Sequence, residues 1–198
     1  MRIRSTGDRR KHRPGNGSIF STVAPIEPQL SLTEYAVLGL LAEGDAHGFA
    51  IAKGLAPEGD VGRVLTVRRP LIYRALDRLV ELGMAEPIHT ERGDAGPKRV
   101  IHRITPPGRR TLKRWLKLPV QHIRDMRIEF QLKLTLLSRS GQSPLALIQA
   151  QRLMLRPTLA ALDGSTEQPP DHVELWRRHN ANATDAYLKH LEAAYEGG

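Results

Sequence analysis

Apolar residues first gather at positions 35–42, Tyr35-Ala36-Val37-Leu38-Gly39-Leu40-Leu41-Ala42, and cover nearly every side of that segment. A helix apolar all round is a buried one. Ser31-Leu32-Thr33-Glu34 marks its start with capping-box spacing: the serine oxygen accepts from the third amide and the glutamate reaches back to the serine amide. Glu43-Gly44-Asp45 ends it. His47-Gly48 opens a second short helix, expected over residues 49–56 and stopped by Pro57-Glu58-Gly59, with a polar loop from there to Thr66.

A third helix is marked by Leu71, Ile72, Ala75, Leu76, Leu79 and Leu82, which form one stripe at helical spacing and end at Gly83. It begins near Arg69-Pro70, where the missing proline amide costs nothing. Arg69, Tyr73, Arg74, Asp77 and Arg78 fall on or near its other face. Two strand-like runs, 84–90 and 100–105, flank a glycine-containing hairpin loop at 91–99 that exits through Lys98-Arg99. Thr105-Pro106-Pro107-Gly108 then opens a helix with Leu112, Trp115 and Leu116 on one face and Arg109, Arg110, Lys113, Arg114 and Lys117 elsewhere.

Pro119 marks a boundary, and three helical segments follow. Ile123, Met126, Phe130, Leu134 and Leu137 recur at steps of three and four. Ser143-Pro144 starts the second, with Leu145, Ile148, Leu155, Leu159 and Leu162 inward. After a loop at 164–170, Asp171 caps the third, where Val173, Trp176, Asn180, Ala183, Tyr187, Leu191 and Ala194 share a seam. Seams near 3.5-residue spacing favour helix-on-helix association, and a dimer buries them most simply.

The predicted fold is mainly α with a small β-hairpin: a basic arm at 1–29, a winged helix-turn-helix domain at 30–118, and a helical dimerisation domain at 119–198. The order helix, helix, helix, hairpin, helix is the winged plan; the competing reading is an unrelated small α+β domain.

Charge sharpens this. Of a net +9, residues 1–29 carry +4 and residues 30–118 carry +5, while 119–198 are neutral. A basic region beside a neutral one suggests that one part meets a polyanion and the other does not; a generally basic proteome is the plainer explanation. Residues 1–29 are basic but aperiodic, a nucleic-acid-contacting arm or a mere extension. The chain has no cysteine, which removes disulfides and thiolate chemistry. No apolar run is long enough to span a membrane, and no apolar segment follows the basic start as in a signal peptide, so a cytoplasmic protein with no membrane partner is expected.

These features frame a DNA-binding hypothesis. An α-helix fits the major groove, whose base edges carry a unique donor and acceptor code. The helix entered at Pro70 is the candidate reader, with Arg68, Arg69, Tyr73 and Arg74 as contacts. Tyr73 has a second reading, as a half-buried ring packed on the hairpin. Arg78, two turns in, suits a phosphate contact or an intrahelical pair. Lys98 and Arg99 at the wing suit phosphates or the minor groove, which add affinity more than sequence choice. Two-fold symmetry would demand a palindromic duplex. Enzymatic motifs are lacking: there is no P-loop, Gly-rich dinucleotide turn or Ser-His-Asp order. The eight histidines show no metal-ligand spacing. No catalytic residue, metal or cofactor is expected, with a zinc- or pH-sensing histidine site left as the alternative because histidine titrates near neutrality.

Leu32-Thr33-Glu34-Tyr35-Ala36-Val37-Leu38-Gly39-Leu40-Leu41 with His47-Gly48-Phe49-Ala50-Ile51 resembles the opening of PadR-type transcriptional regulators. So do Leu71 to Leu79 with Glu81-Leu82-Gly83-Met84, and the wing from Gly96-Pro97-Lys98-Arg99 through Arg103-Ile104-Thr105-Pro106 to Gly108-Arg109. Glu129-Phe130 through Lys133-Leu134 resembles the longer helical domain of the phenolic-acid-responsive subgroup. The resemblance covers about residues 30–195. Two positions depart from the family pattern: His102 stands where tyrosine is usual, and Arg68-Arg69-Pro70 replaces a small, polar approach to the reading helix. The resemblance implies a homodimeric repressor released by a small, often aromatic, effector.

Two function classes follow. One is an effector-gated repressor with a pocket between the winged region and the later helices, where Tyr35, Phe130 and Trp176 are expected to converge; the alternative for these three is core. The other is a protein-interaction module that uses the winged region as scaffold, without effector gating.

Overall fold

The computed structural model describes residues 28–91, 98–163 and 171–197. Helix α1, Leu32–Glu43, has the capping box in full: Ser31 Oγ accepts from the Glu34 amide at 3.3 Å, and Glu34 Oε2 accepts from the Ser31 amide at 2.5 Å. Residues 36–41 are buried throughout, as an all-apolar helix requires.

Strand β1, Ala46–His47, comes next, and helix α2 spans Gly48–Gly54. The second helix therefore starts and stops earlier than residues 49–56. His47 sets the start, because its Nδ1 accepts from the Ala50 amide at 2.9 Å. The loop expected up to Thr66 instead contains helix α3, Asp60–Val64. Asp60 sits favourably in its first turn, beside the positive end of the helix dipole, and Val61 is buried. Gly62 presses on the Ala56 carbonyl so closely that any side chain there would collide.

Helix α4, Arg69–Glu81, buries Ile72, Ala75, Leu76 and Leu79. Leu71 departs from the expected stripe and is 47% exposed, since one residue turns about 100° around a helix. The helix ends in a Schellman motif: the Met84 amide donates to Leu79 O at 2.8 Å and the Gly83 amide to Val80 O at 2.9 Å. Gly83 has φ +66°, a left-handed conformation that glycine adopts without strain.

Strands β2, Ala85–Glu91, and β3, Arg99–Ile104, pair antiparallel, from Ala85 opposite Ile104 to Glu91 opposite Arg99. The register slips between Pro87 and His89; proline offers no amide to the ladder. The sheet has three strands in the order β1-β3-β2, one more than the sequence reading foresaw. Arg103 on β3 grips Asp45 just before β1, with Nε–Oδ1 at 3.0 Å and Nη2–Oδ2 at 2.6 Å. Helix α5, Pro106–Lys117, is capped by Thr105, whose Oγ1 accepts from the Gly108 amide at 3.2 Å and donates to Gly83 O at 2.6 Å. One threonine thus joins the end of α4 to the start of α5.

After Pro119 a 3-10 turn, Ile123–Met126, precedes helix α6, Glu129–Arg139. The periodic stripe from Ile123 to Leu137 is therefore interrupted at Arg127-Ile128. Helix α7 spans Leu145–Asp163 and helix α8 spans His172–Glu196. Asp171 caps α8 as expected, its Oδ1 accepting from the Glu174 amide at 2.8 Å.

One continuous core extends from Leu30 to Leu188 and includes residues of α1, α4, α5, α6 and α7. A polar joint is sealed into it. Lys133 on α6, 1% exposed, donates to Leu118 O at 2.7 Å and pairs with Glu129 at 2.8 Å. Its ammonium lies 4.7 Å from the centre of the Trp115 ring. Glu129 also accepts from Trp115 Nε1 at 3.1 Å, and Trp115 stacks on Tyr35 with ring centres 4.1 Å apart. Burial pushes the Lys133 ammonium below the usual lysine range, against the opposing pull of Glu129. Farther along, buried Gln151 on α7 takes both polar groups of the Val120 backbone, at 2.7 and 2.8 Å.

Candidate nucleic-acid interface

The head of α4 displays three arginines, Arg68, Arg69 and Arg74. Arg68 occupies its N-cap position in extended conformation, and Arg69 and Pro70 form its first turn. The arginine pair is displayed there because Pro70 has no amide to leave unsatisfied in the first turn. Arg68, Arg69, Pro70 and Arg74 are all exposed, and Tyr73 is 43% exposed. The five thus lie exposed at or within the first two turns of α4, whereas Ile72, Ala75, Leu76 and Leu79 are buried.

Helix α2 abuts this head. The Arg69 guanidinium lies 5.5 Å from the centre of the Phe49 ring. Tyr73 packs on the start of α2: a Cβ placed on Gly48 would come within 2.5 Å of Tyr73 Cε1. Glycine at 48 lets the ring approach.

Arg78 is elsewhere. Its Nε bonds Glu34 Oε1 at 3.0 Å, across helices rather than within α4. Glu34 is buried, so this pair ties α4 to the start of α1. The sequence reading missed the tie because it is long-range; the capping-box glutamate has a second oxygen to offer, and that was its only local sign.

The wing follows α4 in the chain and is built from β2 and β3. Lys98 and Arg99 are exposed, Arg99 opposite Glu91 in the ladder. Gly93, Gly96 and the rest of the loop at 92–97 lie outside the described residues, as do residues 1–27 of the arm. The root of the wing is fixed by Arg103 and Asp45, whose mutual hydrogen bonds hold the carboxyl below its usual range and raise the guanidinium. On the same strand, His102 is half-buried. Burial pushes its pKa down, opposed by the Val100 backbone and the Asp77 charge.

Residues 37–114 match the model of the transcriptional regulator PadR-like family. The chain carries a PadR-like segment. Three solved structures are similar. Bacillus subtilis PadR in complex with operator DNA shares 21% identity with a TM-score of 0.44, covering 83% of this chain and 99% of that one. Bacillus subtilis PadR shares 20% with a TM-score of 0.38, covering 85% and 99%. A PadR family transcription regulator from hypervirulent Clostridium difficile R20291 shares 18% with a TM-score of 0.36, covering 42% and 81%. No curated protein matches the chain.

Beyond the PadR-like segment, the three aromatic residues assigned to an effector pocket have separate surroundings. Tyr35 is half-buried on Trp115, and its cavity is lined by Pro28, Thr111, Arg114 and Leu118 rather than by the other two. Phe130 is fully buried in the core, and Trp176 on α8 is 66% exposed. Phe130 occupies the core position its stripe predicts, whereas the seam of Trp176 divides: Val173 and Trp176 are exposed, while Tyr187 and Leu191 pack against the core.

A different cavity, of about 660 Å³, opens between α1, α5 and α6. Gly39, Ala42, Leu112, Leu116, Leu136 and Leu137 make its apolar lining. Arg109, Lys113, Lys117 and Arg139 make a cationic rim. Arg139 is clasped by Glu43 through two bonds at 2.6 and 2.7 Å. The only sequence sign of this cavity was the alternation of leucine and basic residues along 109–117.

No helix among the described residues is long and apolar enough to cross a membrane.

Proposed function

We propose that the chain is a sequence-specific, double-stranded-DNA-binding transcriptional regulator that acts as a homodimeric repressor. One observation carries this reading. Arg78, Arg103 and Arg139 are each spent on a carboxylate, whereas the ion pairs among the described residues leave out Arg68, Arg69 and Arg74 on the solvent face of α4. A helix head that displays guanidinium groups outside those ion pairs, in a region that also carries a basic wing, suits a duplex. Arginine pairs bidentately with guanine in the major groove, at about 1–3 kcal/mol of discrimination per good pair. Lys98 and Arg99 hold phosphates and so set affinity and register. The PadR-like segment, a family of transcriptional regulators, contains this whole surface.

The dimer uses α7 and α8. Leu153, Met154, Val173, Leu175, Trp176 and Tyr195 are large apolar side chains exposed on these two helices. Large apolar side chains left in solvent in this number favour an interaction surface, and two-fold pairing of two copies would present two α4 heads to half-sites about 34–36 Å apart.

Gating by an effector has its best cavity between α1, α5 and α6. An apolar lining with a cationic rim suits a small carboxylate with an apolar body. Its carboxylate would compete with Glu43 for Arg139, the clasp between α6 and α1. The test is release of a bound duplex by benzoate or octanoate, with Trp115 fluorescence as a second readout. Release by neither, at any concentration that leaves the fold intact, removes gating and leaves the DNA reading standing. For the DNA reading itself, Arg69→Ala is expected to abolish preference at one base pair; equal weakening on every duplex would contradict base reading by that side chain.

A further inference from the structure

Phe49 is a large aromatic ring left 49% exposed at the start of α2, and it contributes nothing to the core. A half-exposed phenyl ring keeps apolar surface in water and forgoes the gain of full burial. What it does meet is Arg69, whose guanidinium carbon stands 5.5 Å from the ring centre. His47, tilted by 34° with its ring centre 6.2 Å away, closes another side. His47 is itself fixed, since its Nδ1 caps α2 through the Ala50 amide.

The geometry points to Phe49 as a positioning residue for DNA recognition: it holds the Arg69 guanidinium in its reading direction, and so determines sequence preference without touching the base. This rests on the proposal that α4 reads DNA. Arginine has four side-chain torsions, and an unsupported one at a helix head must order them all on binding. A ring face beneath the guanidinium removes part of that cost in advance. The planar faces leave the outer N–H edge of the fork free for a guanine. The same contact links α2 to α4, so the direction of Arg69 is set by a helix that precedes it by twenty residues.

The test uses the full chain and two readouts. In the free protein, ring currents from Phe49 shift the Arg69 side-chain resonances upfield. The shift is lost in Phe49→Leu, which keeps the apolar bulk, and retained in Phe49→Tyr. On a bound duplex, single base-pair substitutions first identify the pair whose identity matters to the wild type but not to Arg69→Ala. At that pair Phe49→Leu is expected to reduce discrimination about 2–5-fold, the size of an exposed cation–π contact. Phe49→Tyr restores it, and Phe49→Leu has no further effect in the Arg69→Ala background. The proposal is overturned by an absent ring-current shift, by unchanged discrimination in Phe49→Leu, or by additive losses in the double variant. If the shift is present but the wild type binds no duplex at all, DNA reading by α4 fails and the specificity role of Phe49 fails with it. If the duplex is bound and Phe49→Leu discriminates normally, only the role of Phe49 fails.

Discussion

Replacing Lys133 probes the joint that ties α6 to the winged region. The side chain is sealed in, so truncation to alanine removes three buried methylenes, worth about 2.4 kcal/mol at ~0.8 each. It also leaves the Leu118 carbonyl without its donor, a loss of about 1–3 kcal/mol. Glu129 is partly exposed and keeps Trp115 Nε1, so water takes up much of its remaining demand. The total for Lys133→Ala is about 3–5 kcal/mol, the range seen when one member of a buried ion pair is removed. Lys133→Met keeps the stem and removes the buried ammonium, whose desolvation costs several kcal/mol, so its net effect should stay within about 1–2 kcal/mol. The pair also has a pH signature. Burial lowers the folded pKa of Lys133 below 10.5. As pH rises through that folded value, the folded state gives up its proton while the unfolded chain still holds one. Stability therefore rises between the folded value and 10.5, and Lys133→Met lacks that rise. Urea denaturation at pH 7 and along an alkaline series measures both effects. If Lys133→Met costs as much as Lys133→Ala, or if alanine costs under about 1 kcal/mol, the joint is not the buried ion pair described here.

Three further outcomes are expected. Arg78→Ala should lower stability by about 1 kcal/mol in chemical denaturation, because the arginine is half exposed and its bond to Glu34 is discounted for solvent; duplex affinity, measured well below the melting temperature, should be unchanged. Gln151→Leu leaves the buried amide and carbonyl of Val120 unsatisfied and should cost about 2–4 kcal/mol by urea titration. His102 has a folded pKa below 6.5, so the unfolded chain protonates first and stability is lost as pH falls from 6.5 toward the folded value; thermal melts at pH 7 and 5 should show a smaller acid loss in His102→Tyr.

The parts legible in the sequence were those with a local cause. Ser31 and Glu34 declare their helix start by spacing alone, Gly83 stops α4 because only a left-handed residue completes its Schellman motif, and Thr105 and Asp171 cap the helices that follow them. The arginines of the candidate interface were equally visible, since Pro70 fixes where α4 begins. The remainder depended on tertiary partners. Two residues, Ala46 and His47, are too few to show strand alternation, and five, Asp60 to Val64, are too few for helical period. Lys133 reads as a charged position within an apolar run; only the neighbouring Trp115 ring and Leu118 carbonyl make it a core residue. Trp176 lies at the end of its seam that the chain leaves uncovered, while Tyr187 and Leu191 farther along are packed, so the expected convergence with Tyr35 and Phe130 joins three aromatics that the fold keeps in separate settings.

The most direct measurement is the affinity of the full chain for duplex DNA from upstream of its own gene, taken across a salt series for wild type, Arg69→Ala and Lys98→Ala. The account predicts tight wild-type binding with log affinity falling linearly in log salt, a slope lowered by about one in Lys98→Ala, and lost sequence preference in Arg69→Ala. Indifference to every duplex at low salt, or identical slopes and preferences in all three proteins, would contradict it.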